Sequence, residues 1–129
     1  MTEIGEQEID LIRRGYEAYN RGDFDAVKEL LHPEIVFNRV AEIETPLEGR
    51  EAVRALMEPD VLSRQENEVH SIEAVGDCAL VEATFHGRGA GSGIEMAQRG
   101  FHLWRFRDGE AIEFSYFLDR DEALAAARG

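Results

Sequence analysis

The residues most able to do chemistry in this chain are four histidines, three tyrosines, one cysteine and a few carboxylates set between apolar neighbours. His102 stands in "FHLWRFRDGEAIEFSYFLD", two residues before Trp104. A neutral imidazole can take or give a proton near pH 7, so His102 is a candidate acid–base group. The competing assignment is a core histidine bonded to a neighbour. Glu82 and His86 in "VEATFHG" share one face of a strand, where a carboxylate beside an imidazole can act as an acid–base pair. A solvated stripe on the other side of the sheet would look the same. Tyr16 and Tyr19 are on the apolar stripe of a helical segment, and a hydroxyl aimed into a dry cavity can stabilise a developing oxyanion. Simple packing competes with that role.

Other reactive types have plainer readings. Arg39 could hold an anionic group or lie at the surface. His32, before Pro33, reads as a helix-end cap, and Asp119 reads as the cap of a last helix. Cys78 stands between Gly76-Asp77 and "ALVEA", which reads as a small buried hydrophobe because thiol reactivity needs a lowered pKa. No HxxxH, CxxC or two-His-one-carboxylate spacing supports a metal site, and no cofactor is expected.

The 129 residues point to a single domain, 1–129, able to bury its own core. Fourteen basic against 27 acidic residues give a net charge of −13, which repels phosphate backbones and anionic lipids. Nucleic acid and membrane are therefore excluded as expected partners. One cysteine excludes an internal disulfide framework. The acidic start "MTEIGEQEID" lacks a basic-then-apolar signal, and no apolar run reaches a membrane span, so a cytoplasmic location is expected.

The elements that must position these groups read clearly. Ile9, Ile12, Tyr16 and Tyr19 give helical spacing over 6–21. Gly22 suits a left-handed C-terminal position, and Asp23 can cap a second helix over 24–31 that stops before Pro33. A short strand over 34–40 and a helix over 50–57 follow. From residue 62 the pattern turns to strands, with hairpins at Gly76-Asp77 and Asp108-Gly109. "RDEALAAA" closes the chain as a short helix. Helices first and hairpins after give an α+β fold, with helices on one face of an antiparallel sheet.

Three stretches carry a resemblance: "AYNRGDFDAVKELLHPEIVF", "HGRGAGSGIEMAQRGFHLWRFRDGEAIEF" and "YFLDRDEALAAA". Together they resemble the SnoaL-like polyketide cyclase family, within the superfamily related to nuclear transport factor 2. The resemblance implies a curved, cone-like antiparallel sheet, N-terminal helices closing a pocket, and a homodimer. It does not imply one activity, because the fold hosts cyclases, isomerases, epoxide hydrolases, dehydratases and binding proteins. Comparison with the superfamily's steroid isomerases puts Leu80, Glu82, Thr84 and His86 on the concave side, with Gln98, Gly100, His102 and Trp104 on the next strand and Tyr116 on the last. The wall would then combine Tyr16, Tyr19, Phe37, Met57, Trp104 and Phe114 with the polar Glu82, His86, His102, Gln98 and Tyr116, grading into core at Phe106 and Ile112. The isomerases' general-base aspartate falls at Arg39, their oxyanion-hole acid at His102 and their helix tyrosine at Gly15. The epoxide hydrolases' aspartate on the last strand falls at Tyr116. Both of those activities are disfavoured.

Three functional readings remain open. The first is a protein that binds a hydrophobic or aromatic small molecule in an apolar pocket. The second is a cofactor-independent cyclase, isomerase or dehydratase using His102 with Glu82 and His86. The third is a non-catalytic dimerisation module. The outward set Phe101, Leu103 and Phe117 is too apolar for water, so the convex sheet face is expected to be buried in a homodimer.

Overall fold

In the computed structural model, which describes residues 3–39, 46–57 and 62–129, three helices lie against one face of a six-stranded sheet and a fourth against the other. The order is α1 (Glu6–Asn20), α2 (Phe24–Glu29), β1 (Leu31–Arg39), β2 (Leu47–Glu48), α3 (Arg50–Leu56), β3 (Leu62–Val75), β4 (Cys78–Gly89), β5 (Glu95–Arg107), β6 (Glu110–Phe117) and α4 (Arg120–Arg128). The sheet runs β2-β1-β6-β5-β4-β3. It is curved and does not close into a barrel. The α+β architecture expected from the sequence is the one found.

Local chemistry explains most boundaries. Gly22 takes φ 79° after α1, a region open to glycine. The Asp23 side chain then accepts from the Ala26 N–H and caps α2. Asp108 and Gly109 both have positive φ, as a two-residue hairpin turn requires. Asp119 accepts from the Asp121 N–H at the start of α4.

Several details depart from the sequence reading. The sheet is not wholly antiparallel, because β1 pairs with β6 in parallel. Strand β1 begins at Leu31, so α2 stops at Glu29 and Leu31 joins the sheet opposite Ala111. His32 therefore lies in a strand rather than capping a helix; its Nδ1 accepts from the Glu34 N–H at 3.0 Å. Strand β2 is an addition that "PLEG" did not announce. Val40 at the end of the expected first strand, and Pro59 after the third helix, lie outside the described residues, as does the Arg39 side chain.

Two bulges set which side chains share a face. In β3 the register shifts between Val69 and Ser71, so Ile72 opposes Val81 but Val69 opposes Ala83. In β6 it shifts beside Phe106, so Phe106 opposes Ala111 while Arg105 opposes Glu113. Ile112 is the extra residue, and Ala111 takes the core position expected for it.

The concave face carries the larger core, which joins Ile12 and Tyr16 of α1 and Val53 of α3 to Ile35, Ala79, Val81 and Phe114. The convex face carries a second cluster of Cys78, Leu80, Leu103 and Ala123. The apolar convex set is thus covered in part by this chain's own α4. Phe101 and Phe117 stay half-buried at its margin. Arg105 clips this side together: it donates to Asp77 at 2.7 Å, to Glu113 at 3.2 Å and to the Ala126 carbonyl at 3.0 Å. Among the described residues no helix is long and apolar enough to cross a membrane.

Leu80 is 1% exposed beneath α4. Leu80→Ala is expected to cost about 2–5 kcal/mol of stability, read as a lower urea midpoint. A midpoint unchanged from wild type would mean that α4 does not seal this face.

Candidate functional site

Between α1, α2 and the concave sheet face lies a cavity of about 370 Å³. Its wall is dominated by aliphatic and aromatic side chains, and among its described lining residues there is no Asp, Glu, Lys or Arg. Strand pairing explains the composition. Ala79, Val81, Ala83 and Phe85 of β4 oppose Trp104, His102, Gly100 and Gln98 of β5. Directly opposed residues point to the same side, so these form one continuous wall. Tyr116 and Phe114 of β6 extend it, opposite His102 and Trp104.

The centre of the site is a hydrogen-bonded chain. The Trp104 Nε1–H donates to the Tyr16 hydroxyl at 3.0 Å, and that hydroxyl lies 2.5 Å from His102 Nδ1. An indole can only donate, so the Tyr16 oxygen accepts from Trp104, and His102 Nδ1 is the one acceptor among the described residues within reach of the Tyr16 proton. Nδ1 of His102 is thereby the acceptor nitrogen. A neutral imidazole then carries its proton on Nε2. Burial disfavours the charged ring and lowers the His102 pKa from 6.5 to about 4. Near pH 7 the ring is neutral. No described residue bonds its Nε2, and that atom is not sealed from the cavity. His102 therefore presents an N–H donor to whatever fills the space. Burial also raises the Tyr16 phenol well above its ordinary value, so Tyr16 donates a hydrogen bond and keeps its proton. Trp104, Phe114 and Phe37 pack behind this chain, Phe37 stacked on Phe114 at 4.4 Å between ring centroids and Trp104 edge to face with Phe114 at 4.7 Å.

A second polar group lies on β3 and α1. The Tyr19 hydroxyl donates to Gln65 Oε1 at 2.7 Å, and Gln65 Nε2 donates to the Met57 carbonyl at 2.5 Å. Burial pushes the Tyr19 pKa up to about 12. Asn20 accepts from the Asn67 N–H at 2.7 Å and donates to the Asn67 carbonyl at 2.8 Å, which fastens the end of α1 to β3.

The structure brings together most of the residues singled out from the sequence and separates four, among them Leu80, which lies in the convex cluster beneath α4 rather than on the concave side. Tyr16, Tyr19, Phe37, Met57, Gln98 and His102 line the cavity, as do Trp104, Phe114 and Tyr116. Glu82, Thr84 and His86 do not. Because Val81 opposes His102, the alternation of β4 puts residues 82, 84 and 86 on the convex side. There Glu82 pairs with Arg99, Thr84 bonds His70 at 2.7 Å and His86 bonds Glu68 at 2.9 Å. The expected Glu82–His86–His102 constellation is thus divided by the sheet. Cys78 is fully buried, with its pKa pushed up to about 12 by burial, in keeping with a hydrophobe. Gln65 and Asn67 were missed from the sequence, where "RQENEVH" looks like a solvent-facing strand. The bulge near residue 70 is what turns them inward.

Gly100 has a defined steric part. A Cβ there would overlap the Tyr116 ring, which lies across it. Gly100→Ala must displace Tyr116 and reshape the wall beside His102.

A family model described as "SnoaL-like domain" matches residues 12–114. Among curated proteins, the aklanonic acid methyl ester cyclase AcmA of Streptomyces galilaeus is 31% identical over 116 residues, covering 88% of this chain and 77% of that protein. Among solved structures, a nuclear transport factor 2-like protein of unknown function from Burkholderia pseudomallei superposes with TM-score 0.77 at 20% identity, over 97% of this chain and 100% of that one. TerC, co-crystallised with polyporic acid, gives TM-score 0.75 at 17% identity, over 96% and 100%. At these identities the structural matches speak to the fold alone.

Desolvation of His102 has a consequence for stability. The unfolded chain protonates this histidine near its ordinary 6.5, whereas the fold resists until about 4. The unfolded state therefore binds more protons in that window, and stability falls as pH drops from 6.5 toward 4. The contribution is complete above 6.5 and amounts to about 3 kcal/mol at most. Thermal unfolding of wild type and His102→Gln across this range should show the wild type losing more stability on acidification. Parallel curves would contradict a neutral, desolvated His102.

Proposed function

This chain belongs to the SnoaL-like domain family, and we propose that its cavity binds a flat, largely apolar small molecule carrying a carbonyl group, which accepts a hydrogen bond from His102 Nε2–H. The observation that carries this reading is the fixed tautomer of a neutral, buried histidine opening into an apolar space. Apolar walls with a few placed polar groups characterise small-molecule sites, and about 370 Å³ falls within their usual range. A carbonyl oxygen is the matching partner, since the site offers it a donor and no competing charge. Aromatic rings along the wall favour an aromatic body.

A second reading is catalytic. It is favoured by the relationship to a curated cyclase across 88% of this chain. In that reading His102 polarises a carbonyl as a neutral donor, so that negative charge growing on oxygen during a ring-closing addition is stabilised. Tyr16 holds the tautomer. Glu82 and His86 take no part, being on the opposite face. No carboxylate base lines the cavity among the described residues, so an activated carbon acid of the substrate would lose its proton to solvent, its carbanion would form the new carbon–carbon bond, and the alkoxide left on the former carbonyl oxygen would take a proton from solvent. The protein would assemble as a homodimer through the part of the convex face that α4 leaves open around Phe101 and Phe117; light scattering returning only monomer at micromolar concentration would overturn that assignment.

Isothermal titration with 2-acetylnaphthalene and with 2-ethylnaphthalene, which lacks the carbonyl, tests the binding reading. The ketone is expected to bind about tenfold more tightly to wild type, the size of one buried hydrogen bond. That preference should vanish in His102→Phe. Equal binding of both compounds, or of neither, would overturn it.

A further inference from the structure

The proposed carbonyl contact leaves unexplained a polar group at the other end of the cavity. Asn67 is 9% exposed and lines the cavity wall. Its Oδ1 is the one buried side-chain oxygen or nitrogen without a hydrogen-bond partner among the described residues. Its Nδ2 also bonds none of them. Native proteins seldom leave a buried amide idle, because burial strips water from it without recompense.

The neighbouring amides make the contrast plain. Gln65 is spent on Tyr19 and the Met57 carbonyl. The Gln98 Nε2 is spent on the Arg99 carbonyl. Asn20 is spent on the Asn67 backbone, and that clamp fixes Asn67 while leaving its side chain unused. Asn67 reaches the concave face only because of the bulge near residue 70, which also turns Glu66 and Glu68 outward. The fold thus sets a neutral amide, rather than a carboxylate, against the cavity.

We propose that Asn67 is a specificity-determining residue that reads a hydroxyl group on the ligand, at the end remote from the carbonyl held by His102. A hydroxyl matches because it serves the amide either way round: it accepts from Nδ2, which is not sealed, or, with the amide turned over, donates to Oδ1, which is sealed as the side chain stands. Register supplies the spacing. Asn67 opposes Phe85, which opposes Gln98, four residues along β5 from His102. At the rise of a strand that is about 13 Å along the sheet, and two strands across add about 10 Å, so the two backbones are about 16 Å apart before their side chains reach toward each other. The ligand is therefore an elongated aromatic ketone with a phenolic hydroxyl on its far ring. The inference rests on the proposed carbonyl contact and adds the second anchor.

The test pairs 6-hydroxy-2-acetylnaphthalene with 2-acetylnaphthalene in titrations against wild type and Asn67→Leu. Wild type is expected to prefer the hydroxylated compound by about five- to tenfold. Asn67→Leu should lose that preference while binding 2-acetylnaphthalene as wild type does. Its melting temperature without ligand should be equal to or above that of wild type, since an unpartnered amide is removed; a structural asparagine would give a lower one. Should Asn67→Leu not fold, the wild-type preference alone decides. Equal binding of the two ketones to wild type would overturn the role of Asn67 and leave the carbonyl contact standing. Binding of neither would overturn both.

Discussion

The hydrogen-bonded chain from Trp104 through Tyr16 to His102 is the constraint on which the rest of the site depends. It ties α1 to the middle of the sheet inside an apolar cavity. Each donor has one place to go. Trp104 can only donate to Tyr16, and among the described residues His102 Nδ1 is the one acceptor that gives the Tyr16 proton a partner. The remaining proton of the ring is forced onto Nε2 and toward the cavity. A polar network buried this deeply is costly unless satisfied, and here all members but that last N–H are satisfied internally. The unspent N–H is what a ligand would complete.

Burial and function act on the same atom. Removing water from His102 makes the charged ring unfavourable, so the fold keeps it neutral at the pH where it would otherwise begin to titrate. A neutral imidazole is a poor general base when its free nitrogen already accepts from Tyr16. It is a good fixed donor. The site is thereby better suited to holding or polarising a carbonyl than to abstracting a proton.

Much of this was legible in the sequence, and the failures have one cause. The Asp23 cap, the Gly22 turn and the hairpin at Asp108-Gly109 follow from local chemistry and appear where expected. The pairing of His102 and Trp104 with Tyr116 and Phe114 follows from a tight turn and period-two alternation, interrupted only at Ile112. Glu82, Thr84 and His86 were misplaced because a strand with small residues on one face and polar residues on the other fits two orientations. Ala79, Val81 and Ala83 form the inner face since α1 packs against them, a long-range fact. Gln65 and Asn67 were hidden for a related reason. Counting back from Gly76-Asp77 without a bulge points Glu66 and Glu68 inward. One extra residue near position 70 reverses the assignment. Register slips of one residue leave little trace in composition, yet they decide which side chains meet a ligand.

The most direct test of the account is the tautomer of His102, read by long-range ¹H–¹⁵N correlation of the imidazole ring in uniformly labelled protein. The expected spectrum has Nε2 protonated and Nδ1 bare but hydrogen-bonded, unchanged from about pH 5.5 to 8, with Tyr16→Phe altering the Nδ1 signal. An imidazolium near pH 6.5, or a ring protonated on Nδ1, would contradict the claim that the cavity is built around a fixed neutral donor.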